Sequence, residues 1–479
     1  MPARLTLRLA TTAAAALLAV TVPAAPVAGA QPTDQDGPVS GPTPPPLDDR
    51  SKPGDNGQPD LAYTPKQNAS CVGGLELDRS PGTVPWGQQV LRFKDLHRFA
   101  TGLGETVAVI DTGVNQHAYL RGRLTGGGDY VQRGGNGLAD CDGHGTEVAG
   151  IIAAKPTNDE IGFKGIAYDA KILSIRQSSE YFEYQPKNQN DRNVSDNAGT
   201  PATLAKAIVR AADSGATVIN MSVDTCRPAA EGLKPEERLL QRALRYAVED
   251  RDVVVVASAG NTPSGKCGEQ NNADPAHPNY IVSPPWFSDY VISVAAMRPD
   301  GTVAPFSMHG PWVSVAAPGT DVISLDPGGG ERLTTRSVSI QGQQGPIQGT
   351  SFAAPYVSGL AALIREHFRK IGKPLTAKQV MQRIKATASH PAGEGGHNSQ
   401  VGYGMVNPVG ALTTSVAGEE VPPDKKVSAE FDLPPAQDRD WTPARVAVIG
   451  ALGGLGLLLL TLFIVHTVRR QRRDRPGPT

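Results

Sequence analysis

Aromatic side chains are scarce, 5% of the 479 residues, and there are only four cysteines. The first scarcity leaves any core to aliphatic residues, and a hydrophobic share of 39% suffices for one. The second excludes a disulfide-dense miniprotein. An excess of one charge is missing too: 46 Lys+Arg against 47 Asp+Glu leave a net −1. Without a bulk positive field, nucleic acid is not an expected partner. The sequence contains no His-Glu-x-x-His, EF-hand loop or other clear ligand run, so neither a metal nor a cofactor is expected. Internal repeats are absent, and Gly 53 plus Pro 41 stay under the low-complexity share of roughly 25–30%. What remains is a globular protein with special ends.

Both ends read as addresses. Arg4 and Arg8 precede an apolar stretch, Leu9 to Val22, and Ala28-Gly29-Ala30 supplies small residues for cleavage. Residues 1–30 are therefore expected to be a secretory signal. At the other end, 446–468 is uncharged for 23 residues, or about 35 Å as a helix. That spans a hydrocarbon core of ~30 Å with slight tilt, so a transmembrane helix is expected. Arg469, Arg470, Arg472, Arg473 and Arg475 follow it. The positive-inside rule makes 469–479 a cytoplasmic tail and puts the bulk of the chain outside the cell membrane. Gly450 and Gly454 share one face of the span, where another helix can approach closely.

Composition divides the remainder. Residues 31–65 carry nine prolines and few apolar side chains, so 31–95 reads as a proline-rich extension. Pro422-Pro423 and Pro434-Pro435 mark 416–445 as a semi-stiff linker. Between them, 96–415 alternates short apolar runs with capped helices. The runs are 106–110, 171–175, 217–221 and 253–257. One helix has Thr200 as N-cap, Pro201 in its first turn and Gly215 past its end; a second is expected over 235–250 and a third over 356–367. This pattern predicts an α/β domain, a mostly parallel sheet with helices on both faces.

In such sheets chemistry gathers beyond the carboxyl ends of the strands. Asp111-Thr112-Gly113 stands there, directly after the run 107–110. His144 lies in Asp142-Gly143-His144-Gly145-Thr146-Glu147-Val148-Ala149-Gly150, at a helix start. Ser351 lies in Gly349-Thr350-Ser351-Phe352-Ala353-Ala354-Pro355, ahead of an apolar helix. A serine hydroxyl is a weak nucleophile and needs a base. Histidine serves near neutral pH, and an acid fixes its tautomer. A helix beginning at the serine aims unpaired N–H groups at a developing oxyanion.

Asp-Thr-Gly, His-Gly-Thr-x-Val-Ala-Gly and Gly-Thr-Ser-x-Ala-x-Pro, in this order, resemble the subtilisin-type serine proteases over about 320 residues. The resemblance implies a subtilisin-like fold and an endopeptidase working through an acyl-enzyme on a polypeptide substrate. Asp111 would orient His144, His144 would act as base and then acid, and Ser351 would be acylated. In Val256-Ala257-Ser258-Ala259-Gly260-Asn261, Asn261 matches the family's oxyanion-hole asparagine. Ser222, Val223 and Asp224 resemble the edge that pairs with substrate backbone, although glycine is frequent where Asp224 stands.

Two departures narrow the match. Residues 31–95 lack the periodicity of a foldable inhibitory pro-domain, and 176–199 is a long polar stretch between strand and helix, read as an inserted loop. Signal, extension, loop, proline linker and membrane helix together resemble the mycosins, membrane-anchored subtilases of actinobacterial type VII secretion systems. That implies membrane components of a secretion complex as partners. The alternative is a structural subunit of that complex in which proteolysis is incidental. A lipase-like esterase would want Gly-x-Ser-x-Gly and serine ahead of its partners, the opposite order. Export favours disulfides. Of three possible pairings, Cys226–Cys267 is within reach because both follow neighbouring strands, and Cys71–Cys141 would then tie the extension to the loop before His144.

Overall fold

Seven strands form one sheet, all but the glycine-rich β2 drawn from runs with valine, isoleucine or alanine: β1 (Thr106–Asp111), β2 (Leu124–Asp129), β3 (Lys171–Arg176), β4 (Val218–Met221), β5 (Val254–Ser258), β6 (Ile292–Met297) and β7 (Val313–Pro318). The computed structural model describes residues 43–417, 419 and 442–473, apart from 68, 76, 78–80, 185–196, 264–266, 272–273 and 393. The expected signal, most of the expected linker and the end of the tail lie outside the described residues. Strand order is β7-β6-β5-β4-β1-β3-β2, with every pairing parallel. Every residue of β4 to β7 is buried, as a sheet covered on both faces requires. Parallel pairing brings the carboxyl ends of β1, β4 and β5 to one edge.

The helices that cover the sheet are α1 (His144–Ala153), α2 (Pro201–Asp213), α3 (Pro235–Arg245), α4 (Thr350–Lys370) and α5 (Ala377–Thr387). Thr200 caps α2 in a reciprocal box with Thr203, Pro201 occupies its first turn, and Gly215 takes a positive φ beyond its end. α1 packs against α4, and α2 against α3. Two expected boundaries move. The helix expected over 235–250 stops at Arg245 and continues as a π-helical turn, Tyr246–Asp250. α4 begins at Thr350, six residues before the expected start, and Pro355 is tolerated inside it because the Ser351 carbonyl that it deprives of an N–H is taken by the Ser222 hydroxyl.

The extension lies on the catalytic domain. Pro45 and Pro46 carbonyls accept from Gln241 and Arg238, each at 3.0 Å. Asp55 accepts from the Tyr130 hydroxyl at 2.8 Å, and Asp60 pairs with Lys206. Tyr63–Pro65 forms a strand antiparallel to Ser179–Tyr184, which pairs in turn with Asn197–Ala198. This corrects the reading of 176–199 as an inserted loop throughout. Each strand is too short to show a pattern alone and is held by the other. Cys71 and Cys141 are disulfide-bonded, as are Cys226 and Cys267, the expected pairing. Phe93 and Leu96, on a short helix at the domain boundary, enter the main core.

The chain divides into two compact units, 1–419 and 420–479. In the second, Thr442–Arg473 is a single 32-residue helix with Leu452, Leu455, Leu457 and Phe463 exposed. Among the described residues no helix is long and apolar enough to cross a membrane. The part of this helix whose side chains are continuously described runs over 451–467, about 26 Å at 1.5 Å per residue.

Candidate active site

Asp111 ends β1 fully buried, and its Oδ1 accepts from His144 Nδ1 at 2.7 Å. The Thr112 N–H donates to the same oxygen at 2.7 Å. His144 is the first residue of α1, following Gly143 at φ 83°. The glycine after it is required sterically: a Cβ on Gly145 would meet the Gly113 carbonyl oxygen at 2.0 Å. Phe352 packs beside the imidazole with ring centroids 5.0 Å apart.

A residue that sequence reasoning missed holds this helix start in place. Asp140 is buried and accepts from Gly143 N–H (2.8 Å), Thr146 N–H (2.8 Å), the Thr146 hydroxyl (2.6 Å) and the Thr112 hydroxyl (2.8 Å). Its carboxylate satisfies first-turn N–H groups from outside the helix and fixes the positions of His144 and Asp111 together. An acid four residues before the histidine was its only signal. Asp140→Ala orphans several buried donors at ~1–3 kcal/mol each. We expect a loss of roughly 3 kcal/mol in stability, read from the urea midpoint, and a lower kcat in the protein that remains folded.

Ser351 occupies the first turn of α4. Pro355, four residues on, has no N–H to offer the Ser351 carbonyl, and the Ser222 hydroxyl takes that carbonyl at 2.7 Å. Ser222 Oγ accepts from Asn220 Nδ2 at 3.0 Å, and Asn220 Oδ1 accepts from the Ser358 hydroxyl at 2.8 Å. The end of β4 and the helix that bears Ser351 are thus clamped by one hydrogen-bonded chain. The Ser351 hydroxyl donates to the Ser222 carbonyl at 3.3 Å. A turn about χ1 is needed to present its proton to His144. Asn261 Oδ1 accepts from the Thr350 N–H and hydroxyl at 3.0 and 3.1 Å. With its oxygen engaged, the amide has its Nδ2 donors left for the cleft.

These groups share a cleft of about 550 Å³, whose lining includes His144, Ser222, Val223, Asp224, Asn261 and Ser351. β4 ends at Met221, so Ser222, Val223 and Asp224 line the cleft as an extension beyond the strand. No residue of 43–95 lines it among the described residues. Nor, among them, are three His, Cys, Asp or Glu side chains grouped to hold a metal ion.

Burial disfavours charge on His144, but the nearby Asp111, Glu147 and Asp140 outweigh it and raise the imidazole to about 9. A general base must be neutral, so kcat/KM is expected to climb about tenfold per pH unit below this value and level off near pH 9. A pH–rate profile on a peptide without titrating groups checks this. The shift also binds a proton to the folded state. Its stabilisation is complete below about pH 6.5 and is lost as pH rises through about 9.

The chain matches the Subtilase family over residues 102–404. Mycosin-1 of Mycobacterium tuberculosis is 42% identical over 396 residues, covering 79% of this chain and 84% of that protein. A solved structure of the serine protease MycP1, an essential component of the type VII (ESX-1) secretion system, superposes with a TM-score of 0.69. It is 40% identical and covers 77% of this chain and 99% of its own. A chain in the intact ESX-5 inner membrane complex is 37% identical at a TM-score of 0.69, covering 89% of this chain and 100% of that one.

Proposed function

From the premise that this chain belongs to the subtilase family, and within it to the mycosins, we propose how this serine endopeptidase works and where it sits. The 2.7 Å His144–Asp111 pair, opening on the cleft that Ser351 and Asn261 line, carries the reading. Ser351 Oγ attacks the scissile carbonyl carbon as His144 Nε2 takes its proton. Asp111 holds the proton on Nδ1 and stabilises the imidazolium. The oxyanion receives the Asn261 Nδ2 donor and the Ser351 N–H, one of the first-turn groups of α4. Collapse breaks the C–N bond, and the leaving amine takes the proton from His144. Water, deprotonated by the same imidazole, then releases the acyl group as a carboxylic acid and restores Ser351.

The endopeptidase acts on the outer side of the cell membrane, tethered by 446–468, with 469–479 cytoplasmic and membrane components of a type VII secretion complex as partners. Support comes from the 23 uncharged residues and the arginines after them, and from the likeness to chains of ESX complexes. The extension is a strap on the domain and not an inhibitory plug, since the cleft lining contains none of its described residues. Purification of the full chain from actinobacterial membranes in mild detergent tests the assignment. Secretion-complex membrane proteins should co-purify with wild type and be lost from a Gly450→Leu, Gly454→Leu double variant that still inserts. A wild-type chain recovered alone, or in the soluble fraction, contradicts it.

A further inference from the structure

The cleft has a one-sided charge. Asp142, Glu147, Glu180 and Asp224 line it, with neither Lys nor Arg among its described lining residues. These acids are not equivalent. The Asp142 carboxylate is occupied by the Ser179 hydroxyl at 2.5 Å and the Glu180 N–H at 2.7 Å. Glu147 is 1% exposed, and burial holds its carboxyl well above the usual carboxylate range. Glu180 is exposed to solvent. Asp224 differs from all three. It is half-buried, its Oδ2 accepts only the Ser258 hydroxyl at 3.3 Å, and no ion pair reaches it among the described residues. Burial raises it to about 6, which still leaves it ionised above neutrality.

Its place is defined by two strand ends. Asp224 lies two residues beyond Ser222, whose carbonyl receives the Ser351 hydroxyl. Ser258, its hydrogen-bond partner, ends β5 three residues before Asn261. The carboxylate therefore stands between the segment that touches the nucleophile and the segment that bears the oxyanion donor. The side chain of the residue whose carbonyl is attacked branches from the atom next to that carbonyl, and Asp224 flanks both segments that would hold it, so this wall is taken as the one that receives it. A neutral side chain there strips water from an anion and gives nothing back, whereas an ammonium or guanidinium supplies the missing partner.

We propose that Asp224 is a specificity-determining residue, and that this endopeptidase selects polypeptides with lysine or arginine immediately before the bond it cuts. The proposal rests on the serine-endopeptidase reading above. Two internally quenched peptides, identical except for Lys or Leu at that position, test it with the full chain at pH 8, rates being normalised to sites labelled by a fluorophosphonate. Wild type should favour the Lys peptide in kcat/KM by about tenfold or more, as expected for a desolvated ion pair. Asp224→Asn should erase that preference, the ratio of the two kcat/KM values falling to near unity, and Asp224→Glu should keep it. A wild-type preference for Leu, or a Lys preference that survives in Asp224→Asn, overturns the proposal. Failure of wild type to label overturns the serine-endopeptidase reading instead and takes the proposal with it.

Discussion

Replacing Ser351 with alanine is expected to lower kcat for peptide hydrolysis by about 10⁶-fold, a magnitude carried over from another member of this family. The fold should not notice. The hydroxyl makes one long hydrogen bond, 3.3 Å to the Ser222 carbonyl, worth at most about 1 kcal/mol. The clamp through the Ser351 carbonyl uses backbone and survives the change. A variant with unchanged thermal midpoint and no burst of product therefore isolates chemistry from stability. Residual turnover within tenfold of wild type would mean that another group performs the attack.

Asp111→Asn should lower kcat by about 10⁴-fold, through a different route. Asp111 Oδ1 accepts from two donors, His144 Nδ1–H and Thr112 N–H. An amide keeps one acceptor, and its NH₂ turned toward His144 would force the proton onto Nε2, where it blocks uptake from Ser351. The same change removes the largest charge holding the imidazole up at about 9. The pH limb of the residual activity should therefore move down toward 6.5, the ordinary histidine value. Both readouts come from one pH–rate series. A loss in kcat with the limb unmoved would show that Asp111 does not set the ionisation of His144.

Some of this machinery was legible in the sequence for a definite reason. Asp111, His144 and Ser351 sit in glycine-bearing motifs because close backbone approach leaves few alternatives, as the 2.0 Å clash of a Cβ on Gly145 shows. Four strands, β1, β3, β4 and β5, were legible because a doubly covered sheet demands unbroken apolar runs, whereas β2, with three glycines, offers none. Asp140 was not, since it acts on N–H groups at the start of α1 within a seven-residue stretch, from a position that carries no motif of its own. The strand Tyr63–Pro65 was also hidden. Its partner, Ser179–Tyr184, lies over a hundred residues away, and only that pairing makes either segment extended. The start of α4 was placed late because a proline inside a helix reads as a stop, although here it frees the Ser351 carbonyl for Ser222. Asp224 was visible as an oddity against the family pattern, but its half-burial and its lack of an ion-pair partner among the described residues appear only once β4 and β5 are side by side.

The central claim is that Ser351 is a base-activated nucleophile in the full chain, extension included. Mass spectrometry of the peptides after fluorophosphonate treatment tests it most directly, because an activated serine attacks phosphorus much as it attacks a carbonyl. The account predicts one adduct, on the peptide containing Gly349-Thr350-Ser351-Phe352, formed by protein that retains its extension and faster at pH 9 than at pH 7. An adduct on any other residue, or one that forms only after the extension is removed, would contradict it.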